Sequence, residues 1–172
     1  MDLVIGDWTS GNVSGFLNPG SPSWGTNIRL PPRQGPTVIM LSDMDGDAPL
    51  ELTVAEAGGG SPLITLWDCS ASGFTLLTNI DTLSTMDSLA SFQLNTDLRK
   101  EIVAASTSSE DITVFRASTS GALLYPTSIR SPVPRSPKSL ASADLNGDGE
   151  GDIIMTSSPS VVAWINGLES LP

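Results

Sequence analysis

Residues 143–155 read ADLNGDGEGDIIM, with Asp144, Asn146, Asp148 and Asp152 at positions 1, 3, 5 and 9 of a short loop that runs straight into apolar residues. Oxygen side chains at alternate positions of a tight turn are what a hard cation such as Ca2+ takes, about six to eight oxygens at a time. Gly149 at position 6 permits the sharp turn, and Glu150 at position 7 offers its backbone carbonyl. Five specified positions match by chance on the order of once in a million starts, at residue frequencies of ~5%. An EF-hand opens the same way, but it needs a bidentate acid at position 12 and helices on both sides. Position 12 here is Met155, inside a strand-like run. The stretch therefore predicts strand, cation loop, strand.

The pattern recurs. SLASADLNGDGEGDIIMTS (139–157) aligns without a gap on SLASFQLNTDLRKEIVAAS (88–106), and VIMLSDMDGDAPLELTVAE (38–56) is a third copy. The tail alone of a fourth appears as DLVIGD, 2–7. The closing acids Asp2, Glu51, Glu101 and Asp152 stand 49, 50 and 51 residues apart. A period near fifty marks a repeat architecture.

Each unit runs in one order: an apolar strand, the acidic loop, a second strand (DLVIG, ELTVA, EIVAA, DIIMT), a polar turn, and a third strand (VSGFLN, LITLW, ITVF, VVAWIN). A Gly-initiated fourth segment, GFTLL or GALLY, completes the second and third units. Short strands in this order predict an all-β chain of β-propeller-type blades, each of four antiparallel strands. Two blades are complete and two partial: 1–36 lacks strand 1, 37–87 and 88–138 are whole, and 139–172 lacks a clear strand 4. LPPRQGP and IRSPVPRSPKS read as connections between blades.

The three loops differ in charge. The loop at 43–51 offers Asp43, Asp45, Asp47 and Glu51, with the carbonyl of Pro49 at position 7, but Ala48 stands where glycine is preferred. The loop at 144–152 has the complete pattern. The loop at 93–101 carries Gln93, Asn95, Asp97 and Glu101, with Arg99 and Lys100 alongside. An uncharged first ligand and two adjacent cations make it a degenerate loop, empty of metal. Two Ca2+ sites are expected, at 144–152 and 43–51.

Composition narrows the function. Eight basic and nineteen acidic residues give a net charge of -11, which disfavours nucleic acid and anionic membranes as partners. No apolar run reaches the ~20 residues of a membrane span. The chain has no histidine and one cysteine, Cys69. It therefore lacks the commonest general base and cannot close an intrachain disulfide. The acids outside the loops (Asp7, Glu56, Asp68, Asp81, Asp87, Glu110, Asp111, Glu169) show no catalytic pairing, and no enzyme activity is expected. Trp67 and Trp164 hold equivalent positions in their blades and are expected to pack between blades. Trp8 and Trp24 lie near loops and are candidates for contact with a ligand, and Asn12 opens the glycosylation sequon NVS.

DLNGDGEGDII and the blade order resemble the FG-GAP/VCBS repeat family, the calcium-loop blades of integrin-α-like β-propellers. The resemblance implies that the ions brace strand hairpins on one face, and that the module is an extracellular or cell-surface structural or adhesion unit. A lectin-like glycan binder and the non-catalytic propeller of a polysaccharide-processing enzyme are the alternatives. The incomplete blades lead to two expectations about partners. Either the rest of a longer propeller chain completes them, or copies complete one another head to tail, giving a filament if the rotation does not close.

Overall fold

The computed structural model describes residues 3–18, 20, 25, 27–30, 35–46, 49–58, 61–70, 73–94, 99–116, 127–129 and 136–166. They form fourteen strands and no helix. The chain divides into two compact units, Met1–Asp43 with Asp47–Met86, and Met44–Gly46 with Asp87–Pro172.

The first unit holds two antiparallel meanders. Strands β1 (Leu3–Asp7), β2 (Asn12–Phe16) and β3 (Asn27–Arg29) make a three-stranded sheet in that order. Strands β4 (Pro36–Ser42), β5 (Glu51–Glu56), β6 (Leu63–Ser70) and β7 (Gly73–Asp81) make a four-stranded one. Side chains alternate across a strand, so each sheet has two faces to cover. Val4, Val13 and Leu30 of the first sheet meet Leu52, Val54 and Trp67 of the second. Glycine sets the spacing: a Cβ on Gly15 would lie 2.8 Å from Phe74 Cζ. The opposite face of β1 carries Leu3 and Ile5, 39% and 46% exposed.

The second unit repeats the scheme. Strands β8 (Ser88–Phe92), β9 (Glu101–Ser106), β10 (Asp111–Phe115) and β11 (Thr127–Ile129) form a four-stranded meander. Strands β12 (Pro137–Ala143), β13 (Asp152–Ser157) and β14 (Ser160–Trp164) form a three-stranded one. Phe92, Val103 and Val114 of the first pack on Leu140, Ile153 and Met155 of the second, with Trp164 against the cluster. Each aliphatic or aromatic side chain so buried contributes roughly 1.5–3 kcal/mol.

The repeat holds down to register. Trp67 pairs with Leu52 as Trp164 pairs with Ile153. Both tryptophans join the cores, and Trp67 Nε1 donates to Thr65 Oγ1 at 2.8 Å. The first strand of each acidic-loop hairpin starts on a proline and shifts register at the same place, between Pro36 and Val38 and between Pro137 and Ser139. Proline is tolerated at the first residue of a strand, where no ladder bond needs its missing N–H.

The architecture is thus all-β, with two four-stranded and two three-stranded sheets of blade type. Two details differ from the sequence expectation. Residues read above as connection already belong to strands: Pro36 to β4, Ile129 to β11 and 137–139 to β12. GALLY (121–125) lies outside the described residues, and β11, Thr127–Ile129, supplies the fourth strand of its sheet.

Candidate metal centre

Each acidic loop joins the first two strands of its sheet. In the β12–β13 loop, carboxylate and amide oxygens turn inward onto the loop's own backbone. Asp144 Oδ1 accepts from Gly147 N at 2.6 Å and its Oδ2 from Gly149 N at 3.0 Å. Asn146 Oδ1 accepts from Asp148 N at 3.0 Å, and Asp148 Oδ1 from Glu150 N at 2.8 Å. Gly147 and Gly149 reach these bonds with φ of 80° and 88°, where a side chain is disfavoured. Asn146 Nδ2 also donates to Asp148 Oδ2 at 2.7 Å. The closing Asp152 is fully buried and accepts from Leu145 N at 2.8 Å and Asn166 N at 2.6 Å.

The β4–β5 loop gathers its acids more tightly. One carboxylate oxygen from each of Asp43, Asp45 and Glu51 lies within 4.8 Å of the others. Ligands at 2.3–2.6 Å from a Ca2+ ion are separated by distances of this order. Glu51 is buried, and across the ladder it stands in register with Asp68, which adds negative charge to this end of the sheet. Gly46 takes φ of 88°, at the position that Gly147 holds in the last loop. Sequence reasoning singled out position 6 for glycine and missed position 4. The DGD and NGD triplets were the available signal. Asp47 lies outside the described residues, and Pro49 is exposed.

In the third loop Glu101 is 1% exposed, and its Oε2 accepts from Leu94 N at 2.9 Å. Leu94 and Leu145 occupy the same loop position, so the closing acid ties down the loop entry with or without a full acidic set. Asn95 and Asp97 lie outside the described residues.

Both donor sets consist of hard oxygens, beside the left-handed Gly46 in the first loop and held by backbone amides around the left-handed Gly147 and Gly149 in the second. Each accepting carboxylate oxygen keeps a further lone pair for a cation. At 43–51 the convergence of Asp43, Asp45 and Glu51 fits a hard cation such as Ca2+, which these residues would hold. At 144–152 Asp144, Asn146, Asp148 and Asp152 supply the same donor types, but their carboxylates do not converge in this way and turn onto backbone amides instead. A bound ion would supply the positive charge that these crowded carboxylates need, and the chain's part is to orient the oxygens.

The third and fourth loops are also seamed together. Ser142 Oγ donates to Ser91 O at 2.6 Å, and Gly151 N to Gln93 O at 2.9 Å. Asn166 Nδ2 donates to Leu94 O at 3.0 Å and to Glu150 Oε2 at 3.1 Å. Asn166 escaped the sequence reading because a lone asparagine after a strand carries no motif. Lys100 lines the same cleft as Asp144 and Glu150.

The remaining candidates are scattered. Trp8 is 57% exposed in the turn after β1, and a Cβ on Gly35 would stand 3.1 Å from its ring. Trp24 lies outside the described residues. Asn12 opens β2 and is half-buried. Asp7 is held below the ordinary carboxylate range, first by the Ser10 hydroxyl and then by the Ser10 amide. Cys69 is pushed up to about 11, mainly by burial, with Asp68 and Glu51 adding repulsion.

Residues 93–155 match the model of the FG-GAP-like repeat. That stretch runs from position 1 of the third loop through the whole fourth loop into β13, and it bears out the family resemblance there. No curated protein matches the sequence. Among solved structures, the crystal structure of BBS1N in complex with ARL6DN, soaked with lead, aligns at 14% identity with a TM-score of 0.47. The alignment covers 98% of this chain, which spans 61% of that one. Among the described residues, no helix is long and apolar enough to cross a membrane.

Proposed function

We propose that this chain is a calcium-stabilised, non-catalytic structural and interaction module of extracellular or cell-surface type. The observation that carries the reading is the convergence of Asp43, Asp45 and Glu51 oxygens within 4.8 Å, in a hairpin loop whose counterpart at 144–152 repeats the donor pattern. Calcium would fasten the hairpins and leave the strands to build the surface.

Two partners would suit the exposed sheet faces, flanking blades of a longer chain or a second copy of this one. Leu3 and Ile5 of β1 are exposed, whereas their register equivalents Leu52, Val54, Ile153 and Met155 are all buried against a neighbouring sheet. At the other end Val161 of β14 is 69% exposed, whereas its equivalent in β10, Ile112, is fully buried. A sheet of the same kind is the shape that covers either face, and the β14 face of one copy offers it to the β1 face of another.

Melting temperature and particle size, measured in millimolar calcium and in chelator, test both parts. A ligand at a hundred times its Kd adds about 2.7 kcal/mol to the folded state, several degrees in Tm. Asp43→Ala and Asp148→Ala are each expected to remove part of that shift. No shift in the parent chain would overturn the calcium reading. A monomer at high concentration, with Val161→Glu no different from it, would overturn the self-association reading and leave flanking blades of a longer chain as the cover.

A further inference from the structure

We infer that Asn166 is a positioning residue that locks the calcium loop at 144–152 onto the metal-free loop at 93–101, so that calcium bound in one sheet tightens the next. This rests on the calcium reading above and goes beyond it, because it gives the degenerate loop a task.

The geometry is specific. Asn166 follows β14 and touches the cation loop twice: its backbone N–H reaches Asp152 Oδ1 at 2.6 Å and its side-chain amide reaches Glu150 Oε2 at 3.1 Å. The same Nδ2 donates to the carbonyl of Leu94 at 3.0 Å. The N–H of that same Leu94 residue is held by Glu101 at 2.9 Å. A chain of hydrogen bonds thus runs from two loop residues of one hairpin, through one side chain, to the closing acid of its neighbour. An amide NH2 has two donors and suits the two acceptors here.

Glu150 occupies position 7, whose backbone carbonyl is the ligand in loops of this kind. Fixing its side chain restrains that carbonyl, and a cation that fixes the carbonyl restrains the side chain in return. Coupling between two sites is reciprocal, so an ion that orders 144–152 also orders 93–94, and loss of the seam weakens the ion. Gly151 N to Gln93 O closes the same seam one residue away.

Register provides an internal comparison. Asn166 lies two residues beyond Trp164, the partner of Ile153, and in the second sheet this place is taken by Cys69, two beyond Trp67. A thiol is a weak donor and cannot make the double bond to two acceptors. The tie therefore belongs to the hairpin that faces the degenerate loop.

The test uses the full chain, calcium alone as the probe, and amide hydrogen exchange with calorimetry. In the parent chain, calcium is expected to slow exchange both within 144–152, Gly151 included, and at Leu94. In Asn166→Ala the calcium-dependent part of the protection at Leu94 should vanish, protection within 144–152 should persist, and affinity should fall by roughly tenfold to a hundredfold, the range of a lost hydrogen bond to a charged group. Ser142→Ala, which removes the neighbouring bond to Ser91 and leaves Asn166 in place, should keep the calcium response at Leu94. Protection at Leu94 that survives in Asn166→Ala would overturn the inference, as would parent protein whose calcium response stops at residue 152. Absence of any calcium binding in calorimetry would fell the underlying reading, and that result is distinct from binding without propagation.

Discussion

The amide of Leu94 donates to the buried carboxylate of Glu101 at 2.9 Å, the same bond that Leu145 makes to Asp152 at 2.8 Å. One of these loops carries fewer acids than the other, yet the pair is the same. The closing acid is therefore a structural clamp before it is a ligand. Glu101→Ala leaves a half-buried N–H without its charged acceptor and is expected to cost about 2–3 kcal/mol. Urea unfolding followed by tryptophan fluorescence should show most of that loss already in chelator. A loss absent in chelator would contradict the clamp.

Gly147 tests the backbone of the last loop. It sits at φ of 80° with open space around the position of a Cβ, so Gly147→Ala changes conformational preference and nothing else. The left-handed region costs a side chain roughly 1–2 kcal/mol. We expect a loss of that size in chelator, and a larger one in calcium because Asp144 is oriented by the Gly147 amide. Thermal unfolding in the two buffers separates the contributions.

Gly151 tests the seam. A Cβ there would meet Phe92 Cβ at 2.9 Å and Gln93 N at 3.2 Å, in backbone and near-backbone atoms that cannot swing aside. Gly151→Ala should force the two loops apart at a cost of about 1–3 kcal/mol. Circular dichroism at rising temperature gives the shift, and a Tm unchanged within error would contradict the close packing of this joint.

Cys69 carries the pH prediction. Its thiol pKa is raised to about 11 from 9.0 by burial beside Asp68 and Glu51, so the folded state favours the protonated form. The sign follows: this contribution is complete below pH 9 and is lost as pH rises from 9 towards 11, because the unfolded chain releases the proton first. Iodoacetamide should label Cys69 slowly at pH 8.5 in the folded protein and rapidly in urea, since the thiolate is the nucleophile. Fast labelling of the folded chain would show an exposed, ionised thiol.

Much of the architecture was legible in the sequence because the repeat is written in side chains of strong type. Aligning SLAS on SLAS and DIIM on EIVA places Ile153 and Ile102 in the same register, and the ladder puts both opposite an aromatic residue, Trp164 and Phe115. The oxygens at Asp43, Asp45 and Glu51 were legible for the same reason, since alternate spacing in a short loop leaves them little room to part. What was not legible depends on contacts between distant segments. Asn166 is 72 residues from Leu94, and no local pattern announces the bond. The start of β12 was hidden by Pro137 and the prolines before it, which read as a connection although a bulged first residue of a strand tolerates proline. The two roles of the closing acid also look alike in sequence, because a clamp and a ligand both call for a carboxylate.

In β5 and β9 every residue is buried, on both faces. A strand with no outward side leaves no position for recognition, so β5 and β9 leave that task to the hairpin tips and to the exposed faces of β1 and β14. The meander sends those tips to two ends. The acidic loops occupy one end, and turns such as the exposed Ser108, Ser109 and Glu110 between β9 and β10 occupy the other. Substitutions at the second end therefore meet open solvent, whereas those in β5 and β9 meet packed neighbours on both faces.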